Sequence, residues 1–179
     1  MDFLEIIHSP EGNNLSHRHI TLSTCGLVDK IYKLANENLQ ITLAVSLHAP
    51  NNDIRQNTMP VARKYDFDSL IKAARDYANA TKRRVTFEYA LIKGVNDSED
   101  NARELASRLK GIMCHINLIP VNDVKENNYI RSSEDNIKHF ASILQSLGIE
   151  TTIRRKLGSD INAACGQLRK SYKDRIKEE

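Results

Sequence analysis

The chain of 179 residues carries 26 Lys plus Arg against 23 Asp plus Glu, a formal charge of +3, and its length is that of one domain in the usual range of roughly 100–200 residues. With 40% apolar and 27% charged residues, 7 Gly and 4 Pro, the composition excludes collagen-like, low-complexity and disordered classes, and the small net charge excludes a histone-like polycation while permitting a local basic patch against nucleic acid. No apolar run approaches the ~20 residues of a membrane span and no signal-like start is present, so a cytoplasmic protein without a membrane partner is expected.

Short segments rich in β-branched residues alternate with longer stretches of helical period, the pattern of βα units around a parallel sheet. In chain order the spacing predicts strands over Ile20–Ser23, Ile41–His48, Val85–Ile92, His115–Ile119 and Thr151–Arg154. Between them fall four helical stripes. Leu27, Ile31, Leu34 and Ala35 make the first, and Leu70, Ile71, Ala74, Tyr77 and Ala78 the second. Ala102, Leu105, Ala106 and Leu109 follow the N-cap run Asn96-Asp97-Ser98. Ile137, Phe140, Ala141, Leu144 and Leu147 close the series, with Ser133 as cap and Gly148 as stop. Unbroken apolar strands such as Ile41-Thr42-Leu43-Ala44-Val45 suggest burial on both faces, in a barrel or a doubly wound sheet. Alternation alone does not choose between these two, but both gather ligand sites beyond the C-terminal ends of the strands.

Those strand ends are polar and turn-rich: Ser23-Thr24-Cys25-Gly26, Ser46-Leu47-His48-Ala49-Pro50-Asn51-Asn52, Lys93-Gly94-Val95-Asn96-Asp97 and Pro120-Val121-Asn122. Each offers hydroxyl, imidazole, amide or backbone groups to a polar ligand, and each is equally able to satisfy only its own turn. The cysteines Cys25, Cys114 and Cys165 are too few and too dispersed for a disulfide framework or a metal knuckle. His17 and His19 read as surface residues. No GxGxxG, P-loop, HExxH or GxSxG is present, so the common nucleotide, zinc-protease and serine-hydrolase readings lose their usual support.

Four segments occur in one order: Ile20-Thr21-Leu22-Ser23-Thr24-Cys25-Gly26, Ala44-Val45-Ser46-Leu47-His48-Ala49-Pro50, the run from Thr86 to Asp97 (TFEYALIKGVND), and the run from Gly158 to Leu168 (GSDINAACGQL). Together they resemble the radical S-adenosylmethionine (SAM) 23S rRNA adenine-C2-methyltransferase family. The resemblance implies an α/β fold, a partial TIM-like (βα) barrel made of the last four strands of a radical SAM (βα)6 barrel plus a C-terminal segment. On this reading residues 1–179 are a single, incomplete domain, and residues 156–179 are a C-terminal loop and basic tail.

The same resemblance implies that Ser23, Ser46, Leu47, His48 and Asn122 bind S-adenosyl-L-methionine. It makes Cys165 the catalytic cysteine, which accepts a methyl group, becomes S-methylcysteine, and passes the carbon to C2 of adenine by radical chemistry. In that family a CxxxCxxC loop holds a [4Fe-4S] cluster; those ligands are absent from this sequence, so no metal site is expected here and the chain alone is expected to be inactive. The implied partners are 23S rRNA, tRNA and a missing N-terminal half. Arg154, Arg155 and Lys156 lead into the Cys165 loop and are the basic run expected to meet RNA phosphates; Cys25 and Cys114 are expected to be structural. Two alternatives stand beside this reading: a non-catalytic SAM- or RNA-binding remnant, and an unrelated α/β-barrel metabolic enzyme.

Overall fold

The computed structural model describes residues 2–121 and 129–155; Asn122, Lys156 and Cys165, and with them the 156–179 tail, lie outside the described residues. Five strands form one parallel sheet: β1 (Thr21–Thr24), β2 (Thr42–Ser46), β3 (Val85–Leu91), β4 (Cys114–Pro120) and β5 (Thr151–Ile153). Their spatial order is their chain order, β1-β2-β3-β4-β5. A doubly wound sheet reverses direction at a switch point, whereas a barrel arc adds each new strand beside the last. The order therefore decides what alternation left open, and the chain is an arc of a barrel with a fifth strand contributed by Thr151–Ile153.

The helices are α1 (Asp2–His8), α2 (Val28–Asn36), α3 (Asn52–Thr58), α4 (Phe67–Thr81), α5 (Glu99–Leu109) and α6 (Glu134–Ser146). Their ends are set locally. Asp66 accepts from the Ser69 N–H at 2.7 Å to start α4, Ser98 and Asn101 close a reciprocal capping box on α5, and Ser133 caps α6. Beyond α6, Gly148 turns the chain at φ +82°, a left-handed conformation that suits glycine. Two elements were not foreseen. α1 rests on seven residues with Phe3 and Ile6 exposed. α3 has almost no apolar period because it buries Arg55 rather than an aliphatic stripe.

Strand residues point alternately to opposite faces, and here the two faces differ in kind. Leu43, Val45, Val85, Phe87, Tyr89, Leu91, Ile116 and Leu118 face the helices and are all fully buried in one core with Ile31, Leu70, Ala74, Tyr77, Leu105, Phe140 and Leu144. Burying each large side chain contributes about 1.5–3 kcal/mol, which fixes the register of β2, β3 and β4. The opposite, inner face carries Ser23, Ala44, Thr86 and His115 in one row and Ser46, Glu88, Asn117 and Thr152 in the next. The expectation of strands buried apolarly on both faces is thus corrected: the outer face is apolar, the inner face polar and mostly half-buried. The inner row reads as continuous apolar sequence in β2 only because Ala44 sits there.

Candidate functional site

The turns at the C-terminal ends of β1, β2 and β3 are fastened by two buried polar residues, Asn96, read in the sequence only as part of a strand end and an N-cap run, and Arg55, which the sequence did not single out. Asn96 is fully buried and uses its whole amide. Its Nδ2 donates to the carbonyls of His48 and Ala90, both at 2.8 Å, and its Oδ1 accepts from the Ile92 N–H at 2.7 Å. Tyr89 adds a hydroxyl bond to the Asn96 carbonyl at 2.8 Å. The amide thereby fastens the turn after β2 to the end of β3.

Arg55, also fully buried, does the same for the turn after β1. Its guanidinium donates to the Cys25 carbonyl at 2.8 Å and to the Tyr65 carbonyl at 3.4 Å. Its Nε has no partner among the described residues. Gly26 stands at φ +102°, and a Cβ there would lie 2.9 Å from Arg55 Nη2 and 3.0 Å from Leu70 Cδ2. The Gly following Cys25 is therefore required twice, by backbone conformation and by the close approach of the buried arginine.

His48 sits on this scaffold at φ +57°. The Ala90 N–H donates to its Nδ1 at 3.0 Å, so Nδ1 is the acceptor and the ring proton of the neutral imidazole is on Nε2. Burial and the nearby Arg55 guanidinium push its pKa down to about 4. At neutral pH His48 is consequently an uncharged N–H donor of fixed orientation, suited to hold a polar ligand and unsuited to act as a general acid. Leu47, by contrast, is fully buried in the core, so only its backbone is available at the rim, and its N–H already donates to the Glu88 carbonyl at 3.0 Å.

Beneath His48 the inner face carries a chain of side-chain hydrogen bonds. Asn117 Nδ2 donates to Glu88 Oε2 at 2.9 Å. Thr152 Oγ1 lies 3.4 Å from Asn117 Oδ1 and 2.9 Å from His115 Nε2. Burial lowers the His115 pKa, with Arg84 adding to the effect and Glu150 opposing it. Arg84 and Glu150 themselves pair at 2.6 Å. Ser46 is the register partner of Glu88, and Ser23 opens the adjacent row from the edge strand β1.

Of the residues expected to bind SAM, Ser23, Ser46 and His48 thus share the inner face and its C-terminal rim. Arg154 and Arg155 are exposed just past β5. His17 is not a plain surface residue, since its ring stacks on His8 with centroids 4.0 Å apart; His19 is exposed. The Cys25 carbonyl is structural, and burial pushes the half-buried Cys114 thiol up to about 11, which leaves it protonated and unreactive. Glu88, Asn117 and Arg55 were missed, and Asn96 was read as a strand-end amide without its role of tying the His48 turn to β3. The one signal for Glu88 was a charged residue in the middle of the strand Val85–Leu91, at an inner-facing position.

The cysteine pattern does not fit an iron–sulfur cluster: Cys25, Cys114 and Cys165 lack the CxxxCxxC spacing, and among the described residues no group of three His, Cys, Asp or Glu could hold a metal ion. No helix among them is long and apolar enough to cross a membrane.

A family model of the Radical SAM superfamily matches residues 2–106. A protein from Clostridium novyi described as a probable dual-specificity RNA methyltransferase RlmN is 59% identical over 170 residues, 95% of this chain and 50% of that protein. A similarly described protein of Clostridium tetani is 57% identical over 172 residues, 96% of this chain and 49% of its own length. Among solved structures, a radical SAM methyltransferase from Sphaerobacter thermophilus superposes with a TM-score of 0.87 at 51% identity, covering 92% of this chain and 48% of that one. A domain of pyruvate-formate lyase-activating enzyme from Bacteroides vulgatus, 23% identical with a TM-score of 0.61, covers 75% of this chain and 80% of that one and shares the fold. The chain spans about half the length of the curated relatives it matches.

Proposed function

The chain belongs to the radical SAM superfamily, and from that premise we propose that it forms the adenosyl-binding part of a methyltransferase acting on C2 of adenine in 23S rRNA and tRNA. The observation that carries the reading is the neutral His48 donor above the Ser46 row, on the polar face of a sheet whose other face packs an apolar core. A sugar, a purine and an amino acid need short hydroxyl, imidazole and amide partners at the mouth of the strands, and this rim supplies them. Ser23, Ser46 and His48 would hold S-adenosylmethionine, with the Leu47 backbone and Asn122 completing the set. Cys165 would carry the methyl group, and Arg154, Arg155 and Lys156 would meet RNA phosphates. SAM supplies the one-carbon unit when bound.

The cysteines present do not fit a [4Fe-4S] centre, so no step is assigned to one here, and the chain alone is expected to bind SAM without turning it over. Calorimetry on the full chain with SAM tests the proposal. One-to-one saturable binding is expected, weakened about two- to tenfold by His48→Ala through loss of a ligand hydrogen bond. A folded chain that binds no SAM overturns the reading. Retention of an rRNA hairpin on filters, reduced in the combined Arg154→Ala and Arg155→Ala variant, tests the RNA half independently.

A further inference from the structure

We infer that Glu88 is a specificity-determining residue of this site, a carboxylate that accepts the vicinal hydroxyls of a ribose and so selects ribosyl over deoxyribosyl ligands. The inference rests on the adenosyl reading above and deepens it.

Two carboxylates stand on the inner face among the described residues of β3 and the approach to β5, and they are not equivalent. Glu150 lies at the lower end, where Arg84 Nη1 engages its Oε2 at 2.6 Å and neutralises it. Glu88 lies one row below the rim and meets no cation among the described residues. Asn117 donates to its Oε2 at 2.9 Å, and Oε1 receives no hydrogen bond from any described residue. The carboxylate is therefore oriented by one neighbour and keeps an acceptor oxygen without a partner among the described residues, on a half-buried face. Asn117 is held in turn by the Thr152 hydroxyl, which leans on His115. Three strands thus contribute to fixing one side chain.

Its position matches the ligand groups already placed. Ser46 and Glu88 are register partners on adjacent strands, about 4.8 Å apart by strand spacing. His48 is anchored to the same strand as Glu88, through Ala90, two residues further on. A ligand resting on Ser46 and reached by the His48 Nε2–H has the Glu88 carboxylate on the adjacent strand, at the register position paired with Ser46. The amino-acid end of such a ligand presents charge, but its sugar presents two adjacent O–H donors, and a carboxylate is the protein group that accepts both at once. Carboxylates serve ribose hydroxyls in this way in dinucleotide folds. A hydrogen bond to a charged acceptor contributes enough to discriminate between sugars.

Competition between ribosyl and deoxyribosyl forms isolates this role. The full chain is titrated by calorimetry with S-adenosylhomocysteine and with its 2′-deoxyribosyl analogue, neither of which carries a sulfonium charge. The wild-type chain is expected to favour the ribosyl ligand by roughly tenfold, the change expected for one hydrogen bond to a charged group. Glu88→Gln should bring the two affinities to within about twofold by weakening the ribosyl ligand alone. Asn117→Ala, which releases the carboxylate without removing it, should give an intermediate ratio, and Glu150→Gln should keep the wild-type ratio. Circular dichroism confirms that each variant is folded. If Glu88→Gln weakens both ligands equally, or leaves the ratio at its wild-type value, Glu88 does not read the sugar and the inference fails while the adenosyl site stands. A folded wild-type chain that binds neither ligand overturns the inference together with the reading on which it rests.

Discussion

Asn96→Ala is the sharpest test of how the rim is built. The amide is fully buried and makes three hydrogen bonds of 2.7–2.8 Å to backbone groups at the ends of two strands. Truncation leaves the Ile92 N–H and the His48 and Ala90 carbonyls without that partner. An unsatisfied buried polar group costs about 1–3 kcal/mol, so three of them, partly relieved by water entering the space of the lost amide, cost about 3–5 kcal/mol. For a domain of this size each kcal/mol lowers Tm by roughly 2–4 °C, and the expected fall is about 6–20 °C. That is a large share of a typical total stability of about 5–15 kcal/mol. Urea titration followed by circular dichroism measures it directly. The same variant should lose SAM affinity under conditions where it remains folded, because the His48 turn is no longer tied to β3. A loss below about 1 kcal/mol would refute the reasoning, since it would mean that the three backbone groups find other partners and that Asn96 does not hold the turn.

The pKa of His48 is about 4 in the folded chain against 6.5 for a free imidazole, so the unfolded state binds the extra proton between those values. Stability attributable to this ring is complete above about pH 6.5 and falls as pH drops toward 4; the difference between wild type and His48→Gln should shrink by about 2–3 kcal/mol between pH 7 and pH 4.5, and a pH-independent difference would contradict the assignment. Gly26→Ala forces a side chain onto φ +102° within 2.9 Å of Arg55 Nη2; a loss of about 1–3 kcal/mol in urea titration is expected, whereas an unchanged midpoint would show that the Arg55 contact is not close. Anaerobic iron and sulfide reconstitution of this chain should give no visible [4Fe-4S] charge-transfer band, and a stoichiometric centre would show that cysteines outside the CxxxCxxC spacing can form one.

Local chemistry made much of the architecture legible. β-branched runs marked all five strands to within a few residues, and the helix starts at Ser98 and Ser133 were readable because a cap is a bond between near neighbours in sequence. The ordered motifs around Ser23, Ser46 and Thr86–Asp97 pointed to a family that the comparisons bear out. α3 was not legible, because a helix that buries Arg55 against two carbonyls has no apolar period to detect.

What the sequence determined by itself is the succession of strands and helices and the residue types at each strand end, since propensity, capping and hydrophobic spacing act over a few residues. The tertiary structure decided which face of the sheet is polar, that β1 to β5 lie side by side in chain order, and that Asn96, His48 and Ala90, up to 48 positions apart, meet at one rim. Those outcomes depend on burial and on hydrogen bonds between distant segments. A pattern of local periodicity carries no record of which distant carbonyl an amide will reach.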